Sequence, residues 1–64
     1  MDLKELKESK SLTNKEMASA MGISEWKYKK RENNIKSCKV HEISKLFVSL
    51  NLSDSEQRKM LNSI

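Results

Sequence analysis

Residues 12–33, LTNKEMASAMGISEWKYKKREN, decide the fold, because they predict two short helices joined by a tight turn. Thr13 followed by Glu16 has the spacing of a capping box, in which each residue hydrogen-bonds the backbone of the other. The apolar residues that follow fall on one helical face. This pattern predicts a helix over about 14–21.

The turn after this helix is marked by Gly22, the only glycine of the chain. A glycine at this point ends a helix in the left-handed conformation that other residues resist. Ile23 is expected to bury the turn, and Ser24 can cap a second helix over about 25–33. Helix, glycine turn and basic helix together predict a helix-turn-helix.

The flanking sequence predicts three more helices, over about 2–10, over about 40–50, and from the Ser53 cap through Leu61. Residues 35–39 are expected to form a loop. Asn34 is expected to take the left-handed conformation in place of a glycine. The fourth helix should bury one face, made of Val40, Ile43, Leu46, Phe47 and Leu50. The prediction is an all-α, compact five-helix domain that spans residues 1–64.

Composition limits the possible functions. One cysteine and one histidine cannot supply a structural zinc site or an internal disulfide. The longest apolar run has three residues, so no membrane span is predicted, and we expect a cytoplasmic protein. No phosphate-binding loop or catalytic constellation is recognisable, and we expect neither an enzyme, nor a cofactor, nor a small-molecule substrate.

The positive charge is concentrated in one part of the chain. Residues 22–39 hold six cations and two acids, whereas the remaining residues hold seven of each. A patch of one sign attracts a polyanion, and nucleic acid is the commonest one. The alternative is a solvated helix face without a partner.

The helical period predicts which side chains of helix 25–33 face outward. With Tyr28 toward the core, Trp26, Lys30 and Asn33 fall on the opposite face, with Lys27 and Lys29 beside them. Arg31 and Glu32 lie nearer the core, where Arg31 is expected to pack its stem and extend its head to water.

This outer face has the chemistry of a major-groove probe. Lys30 can donate to guanine, and Trp26 offers apolar contact to a thymine methyl. Glu25 can accept from cytosine, or it can serve structure alone, through the helix dipole and a pair with Lys29. The remaining lysines suit phosphates, namely Lys27, Lys29 and Lys36.

Three segments carry a family resemblance: LKELKESKSLTNKEMASAMGIS (3–24), KKREN (29–33) and ISKLFVSLNLSDSE (43–56). They resemble the Cro/CI-type phage repressors, also called lambda-repressor-like or XRE-type helix-turn-helix domains. The resemblance covers nearly the whole chain. The segment KYKKREN is most similar to small Cro-like regulators of phages of Gram-positive bacteria.

The resemblance implies roles for individual residues. Positions matching Glu25, Trp26 and Lys30 read bases in this family. Positions that contact the DNA backbone match Asn14, Lys27, Asn33, Asn34 and Lys36, and the last three can also help dimerisation. The chain departs from the family pattern at Asn14 (usually glutamine), at Asn34 (usually glycine), and in the acid and aromatic at Glu25 and Trp26.

Two functions follow as hypotheses. The first is a transcriptional regulator that binds a near-palindromic operator in double-stranded DNA as a homodimer. Its dimer surface is expected to be residues 35–39 with helix five, where Met60, Leu61 and Ile64 would be exposed. The second is an antirepressor or repressor partner that binds another phage regulator, with Trp26 as its anchor.

Overall fold

Five α-helices and one short 3-10 helix make up the structure, a computed structural model that describes all residues 1–64. No residue forms a β-strand, so the predicted all-α, five-helix class is confirmed. The longest helix has 10 residues, and none is long and apolar enough to cross a membrane. The helices are α1 (Leu3–Ser9), α2 (Asn14–Met21), α3 (Glu25–Asn33), α4 (Val40–Ser49) and α5 (Asp54–Asn62), with the 3-10 helix at Ile35–Ser37.

Three of the connections between helices share one three-residue design. A residue in the left-handed conformation ends one helix, an apolar residue packs against the core, and a hydroxyl residue caps the next helix. Each hydroxyl accepts a hydrogen bond from the backbone N–H three residues on, at 3.1 to 3.2 Å. The three connections are Ser11-Leu12-Thr13, Gly22-Ile23-Ser24 and Asn51-Leu52-Ser53.

The turn at Gly22 forms as predicted. Gly22 has φ of +72°, and the N–H of Ile23 donates to the carbonyl of Ala18 at 3.0 Å. The Gly22 N–H donates to Ser19 at 3.1 Å, so the last carbonyls of α2 are satisfied as in a Schellman motif. This closure fixes the direction in which α3 leaves α2.

Replacing Gly22 by alanine is expected to destabilise the domain by about 1 kcal/mol, because an L side chain resists the left-handed conformation. The added Cβ would also meet the end of Lys45, whose Nζ lies 2.7 Å from its position. That flexible end can move, so backbone strain should dominate. Gly22→Asn is the control, since asparagine meets the same Lys45 but tolerates the conformation. Urea unfolding of both variants measures the difference, and equal losses would contradict the strain argument.

The core is formed where α2 contacts both α3 and α4, with α1 packed on α3. Met17, Ala18 and Met21 line the buried face of α2 as predicted. Tyr28 of α3 is fully buried among them. The other buried apolar residues are Leu3, Leu6, Ala20, Ile43, Leu46, Leu52 and Met60. The Cα radius of gyration is 10.2 Å, as expected for a compact chain of this length.

The end of α3 differs from the prediction. Asn34 has φ of −143°, so it does not take the left-handed conformation. Residues 35–39 are not simply a loop either, since Ile35–Ser37 form a 3-10 turn. The Asn34 carbonyl accepts from the N–H and the hydroxyl of Ser37, at 2.9 and 2.6 Å. An extended residue at Asn34 lets the chain turn back so that Ile35 packs against the core.

The buried face of α4 is also shifted from the predicted one. Val40 is 83% exposed, whereas Glu42 is only 3% exposed. Ile43 and Leu46 are buried as predicted, while Phe47 and Leu50 are partly buried. The face turns toward Glu42 because α3 places the partner of that carboxylate, Arg31, across from it.

Candidate nucleic-acid interface

The outward face of α3 is the one that the helical period predicts. Tyr28 is fully buried, so the side chains on the opposite side of the helix face solvent. Trp26 is 66% exposed, which is unusual for a large aromatic residue in a domain with one small core. Lys30, one turn later, is exposed as well. The bulk of Trp26 therefore contributes little to the core.

The structure exposes nearly all of the residues that the sequence selects as contact residues. The exposed ones are Glu25, Trp26, Lys27, Lys29, Lys30, Asn33, Asn34 and Lys36. Asn14 is half-buried at the first position of α2. These exposed residues lie on α3, on the 3-10 turn that follows it, or, for Asn34, between the two. They thus lie on one continuous part of the chain that begins at the Gly22 turn.

The cations of this surface have no acidic partners. The three ion pairs of the protein join Lys7 to Glu32, Lys10 to Glu56 and Arg31 to Glu42. The expected pair between Glu25 and Lys29 is not among them. That prediction was wrong, since both side chains are exposed and water competes for them. Lys27, Lys29, Lys30 and Lys36 are therefore free to bind an anion.

A polar network below this surface ties α1, α2 and α3 together. Lys7 Nζ donates to Glu32 at 2.9 Å and to Asn14 Oδ1 at 2.7 Å. The Tyr28 hydroxyl donates to the same Glu32 oxygen at 2.7 Å. Because the Asn14 oxygen is occupied, its side-chain NH₂ group is left to donate outward. The sequence reasoning missed Lys7, although its i,i+4 spacing from buried Leu3 places it toward the core.

The carboxyl of Glu32 and the hydroxyl of Tyr28, which belong to this network, both have shifted pKa values. Burial, and then the hydrogen bond to Glu32, raise the pKa of Tyr28, so the hydroxyl keeps its proton and donates it. Burial alone would raise the pKa of Glu32, but the hydrogen bonds from Tyr28 and Lys7 outweigh it and lower the pKa. The network therefore keeps the carboxylate of Glu32, near the C-terminal end of α3, charged at neutral pH.

A second buried contact joins α3 to α4. Arg31 Nε donates to Glu42 Oε1 at 2.9 Å and Arg31 Nη2 donates to Oε2 at 3.3 Å. The expectation that Arg31 extends its head to water was wrong, because its guanidinium turns inward to this carboxylate. Glu42 also accepts from the Lys39 N–H at 3.0 Å. Glu42 was missed, though it lies four residues before buried Leu46, on the same face.

Trp26 and Lys30 contact each other on the outer face. Lys30 Nζ lies 3.6 Å from the centroid of the Trp26 ring. This distance is well within the range of a cation–π interaction. The two residues that the sequence selects most strongly for base contact are thus in contact in the protein.

A separate apolar groove lies on α4 and α5. Its lining is mostly hydrophobic and consists of Cys38, Val40, Ile43, Ser44, Phe47, Leu61 and Ile64. Leu61 and Ile64 are 55% and 41% exposed, so their predicted exposure is confirmed. Met60 is fully buried instead, because it lies on the inner side of α5 and belongs to the hydrophobic core. Exposed apolar area therefore adjoins the segment 35–39, but Met60 does not contribute to it.

Comparisons with known proteins identify no relative. No protein-family model matches the chain, and no curated protein or solved structure matches it either. A functional assignment therefore depends on the residues and geometry of the chain itself.

Proposed function

We propose that the chain is a sequence-specific DNA-binding transcriptional regulator, a Cro-like repressor of a phage or mobile element. The observation that carries this proposal is the outer face of α3, where exposed lysines without acidic partners flank an exposed tryptophan. In the proposal, α2, the Gly22 turn and α3 form a helix-turn-helix. The helix α3 enters the major groove, which is wide enough for an α-helix.

Base reading is assigned to Glu25, Trp26 and Lys30. Lys30 donates to guanine O6 and N7, and Trp26 contacts a neighbouring thymine methyl. Glu25 lies at the first position of α3, at the end of the helix that approaches the bases. Its carboxylate can accept from a cytosine N4. The missing pair with Lys29 leaves that carboxylate available.

Contacts with the DNA backbone are assigned to side chains around this face. Lys27, Lys29 and Lys36 are exposed cations that suit phosphates. Asn33 and Asn34 are exposed amides at the end of α3, where they can donate to the backbone. Asn14 has its NH₂ group free to donate, since Lys7 occupies its oxygen.

We further propose that the regulator acts as a homodimer in the cytoplasm of a bacterial host, as part of a switch between lysis and lysogeny. Exposed Leu61 and Ile64 supply apolar area for contact between two copies. Two α3 helices would then enter successive major grooves about 34 Å apart, on a near-palindromic operator. The proposal includes no cofactor, no small-molecule substrate and no catalytic step.

One observation favours a second candidate function. Tryptophan is enriched among the residues that dominate protein–protein binding, and Trp26 is exposed in the middle of a basic surface. The alternative is an antirepressor or repressor partner that binds an acidic surface of another phage regulator through this face.

Selection from a random-sequence duplex pool tests the proposal. The wild-type protein is expected to enrich a near-palindrome, and Lys30→Ala is expected to lose the preference at one position in each half-site. Lys59→Ala is the matched control, since Lys59 is an exposed lysine on α5 without an ion pair. Sedimentation of the protein with and without the selected duplex tests for the dimer.

Three other outcomes would contradict parts of the proposal. Enrichment without a motif would mean that a basic surface binds phosphates alone, which contradicts base reading. No enrichment, together with capture of a partner protein that Trp26→Ala abolishes, would favour the antirepressor. Sedimentation as a monomer on and off DNA would contradict the homodimer.

A further inference from the structure

The contact between Trp26 and Lys30 distinguishes Lys30 from the other lysines of the surface. Its Nζ lies 3.6 Å from the indole centroid, whereas no aromatic ring lies under Lys27 or Lys29. The only other lysine near a ring is Lys7, at 6.0 Å from Tyr28, and Lys7 is already bonded to Glu32. Lys30 is therefore the one lysine on the outer face of α3 whose head has a defined place in the free protein.

A lysine that reads a base binds more favourably when its ammonium is already ordered in the free protein. The lysine side chain has four rotatable bonds, and ordering them on binding costs conformational entropy. An exposed cation–π contact favours the stacked arrangement by about two- to five-fold in population. If the ammonium is already ordered in the free protein, less conformational entropy is lost when the complex forms.

The stack also leaves part of the indole open. Trp26 is 66% exposed although the ammonium covers one face of its ring. The uncovered surface is flat and apolar, and it lies beside a group with hydrogen-bond donors and no acceptor. The pair thus presents an ammonium that suits guanine O6 and N7 next to a surface that suits a thymine methyl.

We propose that Trp26 is a positioning residue that holds the Lys30 ammonium, so that the two side chains together read a guanine flanked by a thymine. This inference rests on the proposed DNA-binding function. It adds that the preference for guanine, which Lys30 supplies, depends on the indole ring. Trp26 then contributes to discrimination between bases and not only to affinity.

A double-mutant cycle tests this coupling with the purified full chain. The probes are the selected operator and the same operator with adenine in place of the guanine read by Lys30. The measured quantity is the ratio of the two dissociation constants. We expect the wild type to prefer guanine by about ten-fold or more. Trp26→Ala should reduce the ratio several-fold, and Trp26→Phe should retain most of it, because phenylalanine also offers a ring face.

The same substitution of Trp26 in a protein that lacks Lys30 shows whether Trp26 acts through Lys30. In Lys30→Ala the ratio should already be near one, and adding Trp26→Ala should leave it unchanged. A role of Trp26 in apolar contact alone would weaken binding to both duplexes equally, and the ratio would stay at the wild-type value. That result would overturn the positioning role while leaving the DNA-binding function intact.

A second measurement needs no DNA. Ring currents should shift the side-chain methylene protons of Lys30 upfield in the NMR spectrum, and Trp26→Ala should return them to ordinary values. Lys27 provides the internal control. Ordinary shifts for Lys30 in the wild-type protein would overturn the inference. If selection yields no motif, the proposed function fails, and the inference fails with it even if the upfield shift is present.

Discussion

The variant with Lys27, Lys29 and Lys36 all replaced by glutamine is expected to bind the operator more weakly by about 100-fold for each protomer, and so by about 10⁴-fold for the dimer, near 0.15 M salt. Each lysine that neutralises a phosphate releases condensed counterions when the complex forms. The logarithm of the binding constant therefore falls with the logarithm of the salt concentration, by about 0.9 for each phosphate contacted. Losing three contacts in each protomer should lower this slope by about 2.7 per protomer, or about 5.4 for the dimer.

Fluorescence anisotropy of a labelled duplex across a salt series measures both quantities. The matched control replaces Lys4, Arg58 and Lys59 by glutamine, which removes the same charge from α1 and α5. All six side chains are exposed and outside the ion pairs, so folding should be unaffected. An equal loss of affinity in both triple variants would mean that net charge, and not the surface around α3, binds the DNA.

Replacing Arg31 by methionine is expected to lower the midpoint of thermal unfolding by roughly 10 °C. The substitution keeps the apolar stem but leaves the Glu42 carboxylate, in a residue only 3% exposed, without its charged partner. Removing one partner of a buried pair is costly because the remaining charge stays out of water. Circular dichroism melting measures the change.

The loss of stability in Arg31→Met relative to the wild type should depend on pH in a defined direction. The hydrogen bonds from Arg31 lower the pKa of Glu42 despite its burial. A carboxylate with a lowered pKa stabilises the fold above its unfolded pKa, which is about 4.3, and this stabilisation is lost as the pH falls through the folded pKa. The difference between wild type and variant should therefore be largest above about pH 5 and shrink below about pH 4.

Two controls separate this contact from a general loss of charge. Adding Glu42→Gln to Arg31→Met removes the stranded charge and keeps an acceptor for the Lys39 N–H, so stability should largely recover. Lys10→Met breaks the more exposed pair with Glu56 and should change the midpoint little. A similar fall in Lys10→Met, or no recovery in the double variant, would contradict the argument.

Local chemistry made much of the architecture predictable. The caps at Thr13, Ser24 and Ser53 and the glycine at Gly22 act through hydrogen bonds within a few residues, so reading the sequence locates them. The same holds for the outer face of α3, since the helical period relates it to one buried residue, Tyr28. Ser11 was overlooked as a left-handed residue because serine carries no strong signal for that conformation.

The contacts between helices were less predictable. The spacing of charges along one helix predicted a pair between Glu25 and Lys29, but the pairs that form join Lys7 to Glu32 and Arg31 to Glu42. These partners are 25 and 11 residues apart in the chain. Helical periodicity indicates that a side chain points inward, but not which side chain lies opposite it.

The sequence by itself determined the five helices, the caps at Thr13, Ser24 and Ser53, and the surface that α3 turns outward, because short-range hydrogen bonds and the helical period decide these features. Only the tertiary structure decided that Glu42 is buried in place of Val40, that Arg31 turns inward and that Lys7 orients Asn14. Burying a charge is favourable only when a partner stands opposite it, and the packing of α1, α3 and α4 brings those partners together.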